Sequence, residues 1–100
     1  MYAMDVEALI GRNVRRIRLD KGLTEQEVAL RCEILTQGYM SNLESGRRNP
    51  TAVSLYLIAC ALGVDVGALY KTDDVPKKIT DGPVIIRSKR SKRRFVDVQT

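Results

Sequence analysis

Between Asp5 and Lys21 the apolar residues Val6, Leu9, Ile10, Val14 and Ile17 recur three and four positions apart, which is one face of an amphipathic helix. Asp5 is placed to cap its start and Gly22 to stop it in a left-handed turn. Arg12, Arg15 and Arg16 fall off the stripe and read as a solvated face. Thr24-Glu25-Gln26-Glu27 then spells a capping box, opening a second helix from Glu25 to about Cys32 that buries Val28 and Ala29. After the short turn Glu33-Ile34-Leu35, Thr36 caps a third helix, Gln37 to Ser45, with only Met40 and Leu43 as clear inward residues. Gly46 closes it and Arg47-Arg48-Asn49-Pro50 leads on. Thr51 caps a fourth helix, Ala52 to Leu62, which faces Leu55, Ile58, Ala59 and Leu62 inward and leaves Cys60 at the edge of the core. Gly63 ends it, and Asp65 is expected to cap a short fifth helix through Tyr70. Five helices without a strand pattern predict an all-α domain over residues 5–71.

Beyond Lys71 the pattern changes. Thr72-Asp73-Asp74-Val75-Pro76 and Asp81-Gly82-Pro83 are turn-forming clusters. Val84-Ile85-Ile86 and Phe95-Val96-Asp97-Val98 are short β-prone runs on either side of a block rich in Arg and Lys. Residues 72–100 therefore read as a C-terminal extension of different character.

Composition sharpens this division. The 100 residues hold 17 Lys and Arg against 12 Asp and Glu, a formal charge of +5. Residues 1–74 carry nine basic and ten acidic side chains, a charge of −1, whereas residues 75–100 carry eight and two, a charge of +6. A basic total points to nucleic acid or an anionic surface, but here it describes only the extension. There is no histidine, which excludes Ser-His and Cys-His catalytic pairs, and two cysteines are too few for a structural zinc site. Tyr2, Cys32 and Cys60 are isolated nucleophiles, and no glycine-rich phosphate loop occurs, so no enzyme, metal or cofactor is expected. The longest apolar stretch, Leu55 to Val64, is far short of the roughly 20 residues that span a bilayer. With no basic-then-apolar leader at the N-terminus, the chain reads as a soluble cytoplasmic protein with reduced thiols and no membrane partner.

The third helix carries the functional signal. Gln37, Gly38, Tyr39, Ser41 and Asn42 are uncharged and mostly hydrogen-bonding, where a solvated face would carry Lys and Glu. Two short helices joined by a tight turn, the second capped by Thr and polar, form the helix-turn-helix arrangement. The chain from Leu9 to Tyr70 resembles the lambda-repressor-like (Xre/Cro/CI) helix-turn-helix family. The resemblance rests on Ile10-Gly11, Val14-Arg15, Ile17-Arg18, Lys21-Gly22-Leu23-Thr24 and Val28-Ala29. It continues through Tyr39-Met40-Ser41-Asn42-Leu43-Glu44-Ser45-Gly46-Arg47-Arg48-Asn49-Pro50, Ile58-Ala59 and Leu62-Gly63-Val64, in the family's order and nearly at its spacing.

The resemblance implies that the third helix enters the DNA major groove with Gln37, Gly38, Ser41 and Asn42 toward base edges and Tyr39 near the backbone or a thymine methyl. Gln and Asn pair with adenine N6 and N7, each good pair contributing about 1–3 kcal/mol of discrimination. Phosphate contacts are expected from Thr24, Gln26 and Thr36 at the helix starts and from Arg47, Arg48 and Asn49 after the third helix. The resemblance also implies an ion pair between Arg18 and Glu44. Two departures stand out. Glu25 replaces the Gln that many relatives carry, so that either Gln26 substitutes for it at the phosphate or the backbone amides bind alone. The turn Cys32-Glu33-Ile34-Leu35 is one residue longer than usual and lacks the customary glycine, which bears on the angle between the second and third helices.

The expected function is therefore a sequence-specific transcriptional regulator, a repressor, binding double-stranded DNA as a homodimer on a pseudo-palindromic site. Two rivals share the fold: an antitoxin that autoregulates its operon while its tail holds a toxin, and a protein-interaction module without DNA binding. The extension has two readings. In one, Val84–Ile86 and Phe95–Val98 form a β-hairpin or pair across the two-fold as a dimer sheet. In the other, Arg87, Lys89, Arg90, Lys92, Arg93 and Arg94 form a flexible basic arm for phosphates.

Overall fold

Asp5 begins the first helix by accepting from the Ala8 amide at 3.0 Å, and α1 runs Val6–Asp20 before Gly22 turns the chain at φ 68°. In the computed structural model described here, residues 4–73, 75–87 and 93–96 are placed, with Arg87 and Arg93–Phe95 described through their backbone. Tyr2 and the arm residues Lys89, Arg90 and Lys92 lie outside the described residues. Helix α2 (Glu25–Cys32), α3 (Gln37–Glu44) and α4 (Ala52–Leu62) follow, each opened by a threonine that accepts from the amide three residues on. The third helix ends one residue before the sequence suggests, with Ser45 as its cap.

A core of Ile10, Val14 and Ile17 from α1, Val28 and Ala29 from α2, Met40 and Leu43 from α3, and Leu55, Ile58 and Leu62 from α4 is almost wholly shielded from solvent. Leu69 seals it from below. The fifth expected helix is a 3₁₀ helix, Val66–Tyr70, and Asp65 makes no side-chain capping bond to it. It is held instead from α1: Asn13, buried on the apolar stripe, donates from Nδ2 to the carbonyls of Leu69 and Lys71, both at 2.9 Å. Arg31 Nη1 donates to the Ala61 carbonyl at 3.0 Å, fastening the end of α2 to the end of α4.

The extension is partly helical and partly β. One turn, α5 (Lys77–Thr80), forms where the sequence suggests only loops. Strands β1 (Val84–Arg87) and β2 (Arg93–Val96) then pair antiparallel, with Val84 opposite Val96 and Arg87 opposite Arg93. Strand β1 also bridges in parallel to Met4, which donates to the Pro83 carbonyl at 2.8 Å and accepts from the Ile85 amide at 2.9 Å. Among the described residues no helix is long and apolar enough to cross a membrane, and no cluster of metal-ligating side chains occurs.

Candidate nucleic-acid interface

The two short helices α2 and α3 pack against one another and present the start of each to solvent. Between them Glu33 adopts φ 63°, so the turn that lacks glycine takes its positive φ on a glutamate. That conformation costs a non-glycine residue of order 1 kcal/mol or more. It lets the longer turn close, bringing the first residue of α3 to the first residue of α2: Gln37 Nε2 donates to Glu25 Oε1 at 3.0 Å. The two expectations drawn from Glu25, that Gln26 substitutes at the phosphate or that the backbone amides bind alone, thus omit what its carboxylate does. A carboxylate accepts and does not donate, so the amide of Gln37 is oriented with its NH₂ toward Glu25. Its second N–H and its Oε1 remain as the donor and acceptor that adenine N7 and N6 require.

Gln37, Gly38, Ser41 and Asn42 are all exposed, and their one- and four-residue spacings put them on a single side of α3. Met40 and Leu43, on the opposite side, are fully buried. Gly38 has open space around it: a methyl there would find only the Thr36 hydroxyl, at 3.9 Å. Its glycine is therefore dictated neither by packing nor by backbone conformation. Tyr39 is half-buried, and Arg48 lies over its ring, 4.6 Å from the centroid. This cation–π contact holds one arginine of the following loop beside the helix. Arg47 and Asn49 are exposed on the same loop.

The threonines do double duty. Thr36 accepts from the Tyr39 amide at 3.0 Å, and its hydroxyl hydrogen can still be donated to an anion. Thr24 and Glu27 exchange both bonds of the capping box, at 3.0 and 3.1 Å. The first turn of α2 thus carries Glu25 and Glu27, and the exposed Gln26 is its neutral side chain. The first turn of α3 carries no acid, which makes it the more anion-receptive of the two helix starts.

Helix α3 is fastened at its far end by α1. Arg18 Nε and Nη2 meet the two carboxylate oxygens of Glu44 at 2.6 and 2.9 Å, and Nη1 donates to the Leu23 carbonyl at 2.8 Å. Both side chains are nearly shielded from solvent, at 10% and 3% exposure. The hydrogen bond to Glu44 raises the guanidinium pKa further above its ordinary value, against the cost of burial. The ion pair implied at the sequence level is thus present in bidentate form. Gly11 has a role that composition and periodicity do not reveal: a methyl at this position would run into the carbonyl oxygens of Leu43 and Glu44. Gly46, at φ 75°, lets the chain leave α3 against the backbone of Ala8.

The helix-turn-helix family model matches residues 14–69. An uncharacterized HTH-type transcriptional regulator, y4dJ, of Sinorhizobium fredii is 49% identical over 74 residues, covering 73% of this chain and 95% of the relative. The restriction-modification controller protein C.AhdI from Aeromonas hydrophila superposes with a TM-score of 0.61 at 28% identity, over 63% of this chain and 94% of the controller. A tetramer of the controller C.Esp1396I in complex with its natural 35 base-pair operator matches with a TM-score of 0.59 at 31% identity, over 65% of this chain and 84% of that one.

Proposed function

The chain belongs to the helix-turn-helix family, and on that premise we propose that it is a DNA-binding transcriptional regulator, a repressor that occupies its operator as a homodimer. The observation that carries this reading is the exposed side of α3, four small or uncharged polar residues backed by a buried, bidentate fastening. A surface built only for solubility has no need of such a rigid mount. Gln37, Ser41 and Asn42 read base edges, with Gly38 admitting the helix backbone closely and Tyr39 at the groove wall. Thr36, Arg47, Arg48 and Asn49 take phosphates, with Thr24 and Gln26 contributing from α2.

A single α3 reaches few base pairs, so two copies on a pseudo-palindrome supply the specificity. Helix α4 offers the apolar stripe that such pairing requires: Val53 and Tyr56 are 65% and 62% exposed, and Cys60 follows on the same side. This reading assigns that stripe to the partner copy.

The test is titration of labelled DNA from upstream of the gene against random duplex at physiological salt. Affinity for the upstream fragment at least about a thousand-fold above random duplex is the expected result. Equal affinity for both would leave the fold serving protein interaction instead.

A further inference from the structure

The family match covers residues 14–69, and α5 and the β-hairpin lie beyond it in a specific placement. The Asp5 amide donates to the Ile79 carbonyl at 2.7 Å and Met4 to Pro83, which pins the extension to the start of α1. Strand β1 consequently runs past the loop that follows α3: Val84, Ile85 and Ile86 share a cleft of about 230 Å³ with Val6, Glu7, Ile10 and Asn49. Arg87 follows Ile86 directly, one strand residue or about 3.3 Å further on. Strand β1 therefore stands next to Asn49, the residue that follows Arg47 and Arg48 in the loop.

The hairpin is at odds with itself in charge. Its register sets Arg87 opposite Arg93 and Ile86 opposite Arg94, and like charges directly opposite one another destabilise a strand pair. Lys77 and Lys78 are exposed on α5, and residues 75–96 hold eight cations against the single acid Asp81. Such an element gains stability when an anion lies along it. A second strand is a poor occupant, because charged residues on an edge strand are a common means of preventing strand addition, and β2 opens with Arg93-Arg94.

We propose that the hairpin is a second DNA-contacting element, laid on the phosphate backbone beside the phosphates taken by Arg47 and Arg48, and indifferent to base sequence. This rests on the regulator reading and adds a separate contact to it.

The experiment uses the full chain, its Arg87→Gln/Arg93→Gln/Arg94→Gln variant, and the duplex that the unaltered chain selects from a random-sequence pool. The slope of log affinity against log salt is expected to become shallower by about 2–3 in the variant, near 0.9 for each phosphate released. The selected sequence is expected to stay the same. Hydroxyl-radical footprints should lose protection only next to the Arg47 and Arg48 contacts. Met4→Pro is the second variant. It removes the N–H held by Pro83 while keeping every cation, and is expected to blur that same part of the footprint. Equal salt slopes overturn the proposal, as does dissociation of the arginine variant to monomers in sedimentation, which would make the hairpin an interface between copies. If the unaltered chain selects no sequence at all, the regulator reading fails and this one falls with it.

Discussion

Gln37 gives one amide hydrogen to Glu25, at 3.0 Å, so the first residue of α3 is oriented by the first residue of α2. The carboxylate allows one amide orientation, and that orientation matches adenine. Glu25→Ala should let the Gln37 amide turn over and relax discrimination at one base position in each half-site by about 1–3 kcal/mol. Glu25→Gln should also relax it, because a glutamine partner can donate as well as accept. Competition with duplexes altered one base pair at a time checks both variants. An unchanged preference would remove Glu25 from the specificity determinants.

Gly38→Ala separates stability from recognition. The site has room for a methyl, and alanine favours helix over glycine by about 0.5–1 kcal/mol, so the denaturation midpoint should rise. If Gly38 admits the helix close to the DNA, operator affinity should fall several-fold in the same protein. A more stable variant with unaltered affinity would make the glycine a vacancy without a role.

Arg18→Ala would strand the Glu44 carboxylate in a site nearly shut to water. Removing one partner of a buried pair costs about 3–5 kcal/mol. Chemical denaturation is the measurement, and an unchanged midpoint refutes the assignment. The double replacement Arg18→Met/Glu44→Leu should recover much of the loss, since it leaves no unpaired charge.

Tyr56→Glu places a charge in the middle of the apolar stripe on α4. The dimer should dissociate in sedimentation at concentrations where the unaltered chain holds together, while the midpoint of monomer unfolding moves little. A variant that stays dimeric moves the interface elsewhere.

Cys32 is buried and Cys60 exposed on the α4 stripe, so a thiol reagent should label Cys60 as fast as the two copies part and Cys32 only as fast as the fold opens. Burial raises the Cys32 pKa above its ordinary thiol value, with a smaller contribution from Cys60. The folded state therefore retains its thiol proton where the unfolded chain loses it. The associated stability is intact below about pH 9 and is lost as pH rises from there through the folded value. The Cys32→Ala variant, compared across that range, should show a smaller decline than the unaltered chain.

What is legible along the chain is local. Caps at Asp5, Thr24, Thr36 and Thr51 act over three residues, and each does so here. The Arg18–Glu44 pair was within reach only through the family resemblance, because 26 residues separate its members. Asn13 reaches 56 and 58 residues along the chain, and nothing local marks it except that it interrupts an apolar stripe. Gly11 carries a similar faint signal, a poor helix former inside a strong helical pattern. Helix α5 is a single turn between turn-forming clusters, too short for any periodicity. The hairpin is suggested by its β-prone runs, but its register and its bridge to Met4 arise from packing across the whole chain. The base-reading and phosphate assignments follow from the family resemblance. The structure adds to them the Glu25–Gln37 bond and the Arg48–Tyr39 contact, neither of which the sequence displays.

Helix α3 divides its residues between two tasks. Met40, Leu43 and Glu44 fasten it to the core and to α1, while Gly38, Ser41 and Asn42 lie on the exposed side, where the Ser41 and Asn42 side chains make no hydrogen bond among the described residues. The outward positions can therefore diverge one at a time without disturbing the scaffold, so a new operator preference is open to single substitutions. Position 37 is the exception. Because its side chain leans on Glu25, a change there should be inherited together with a change at 25, and the two should drift as one unit through the chain's descendants.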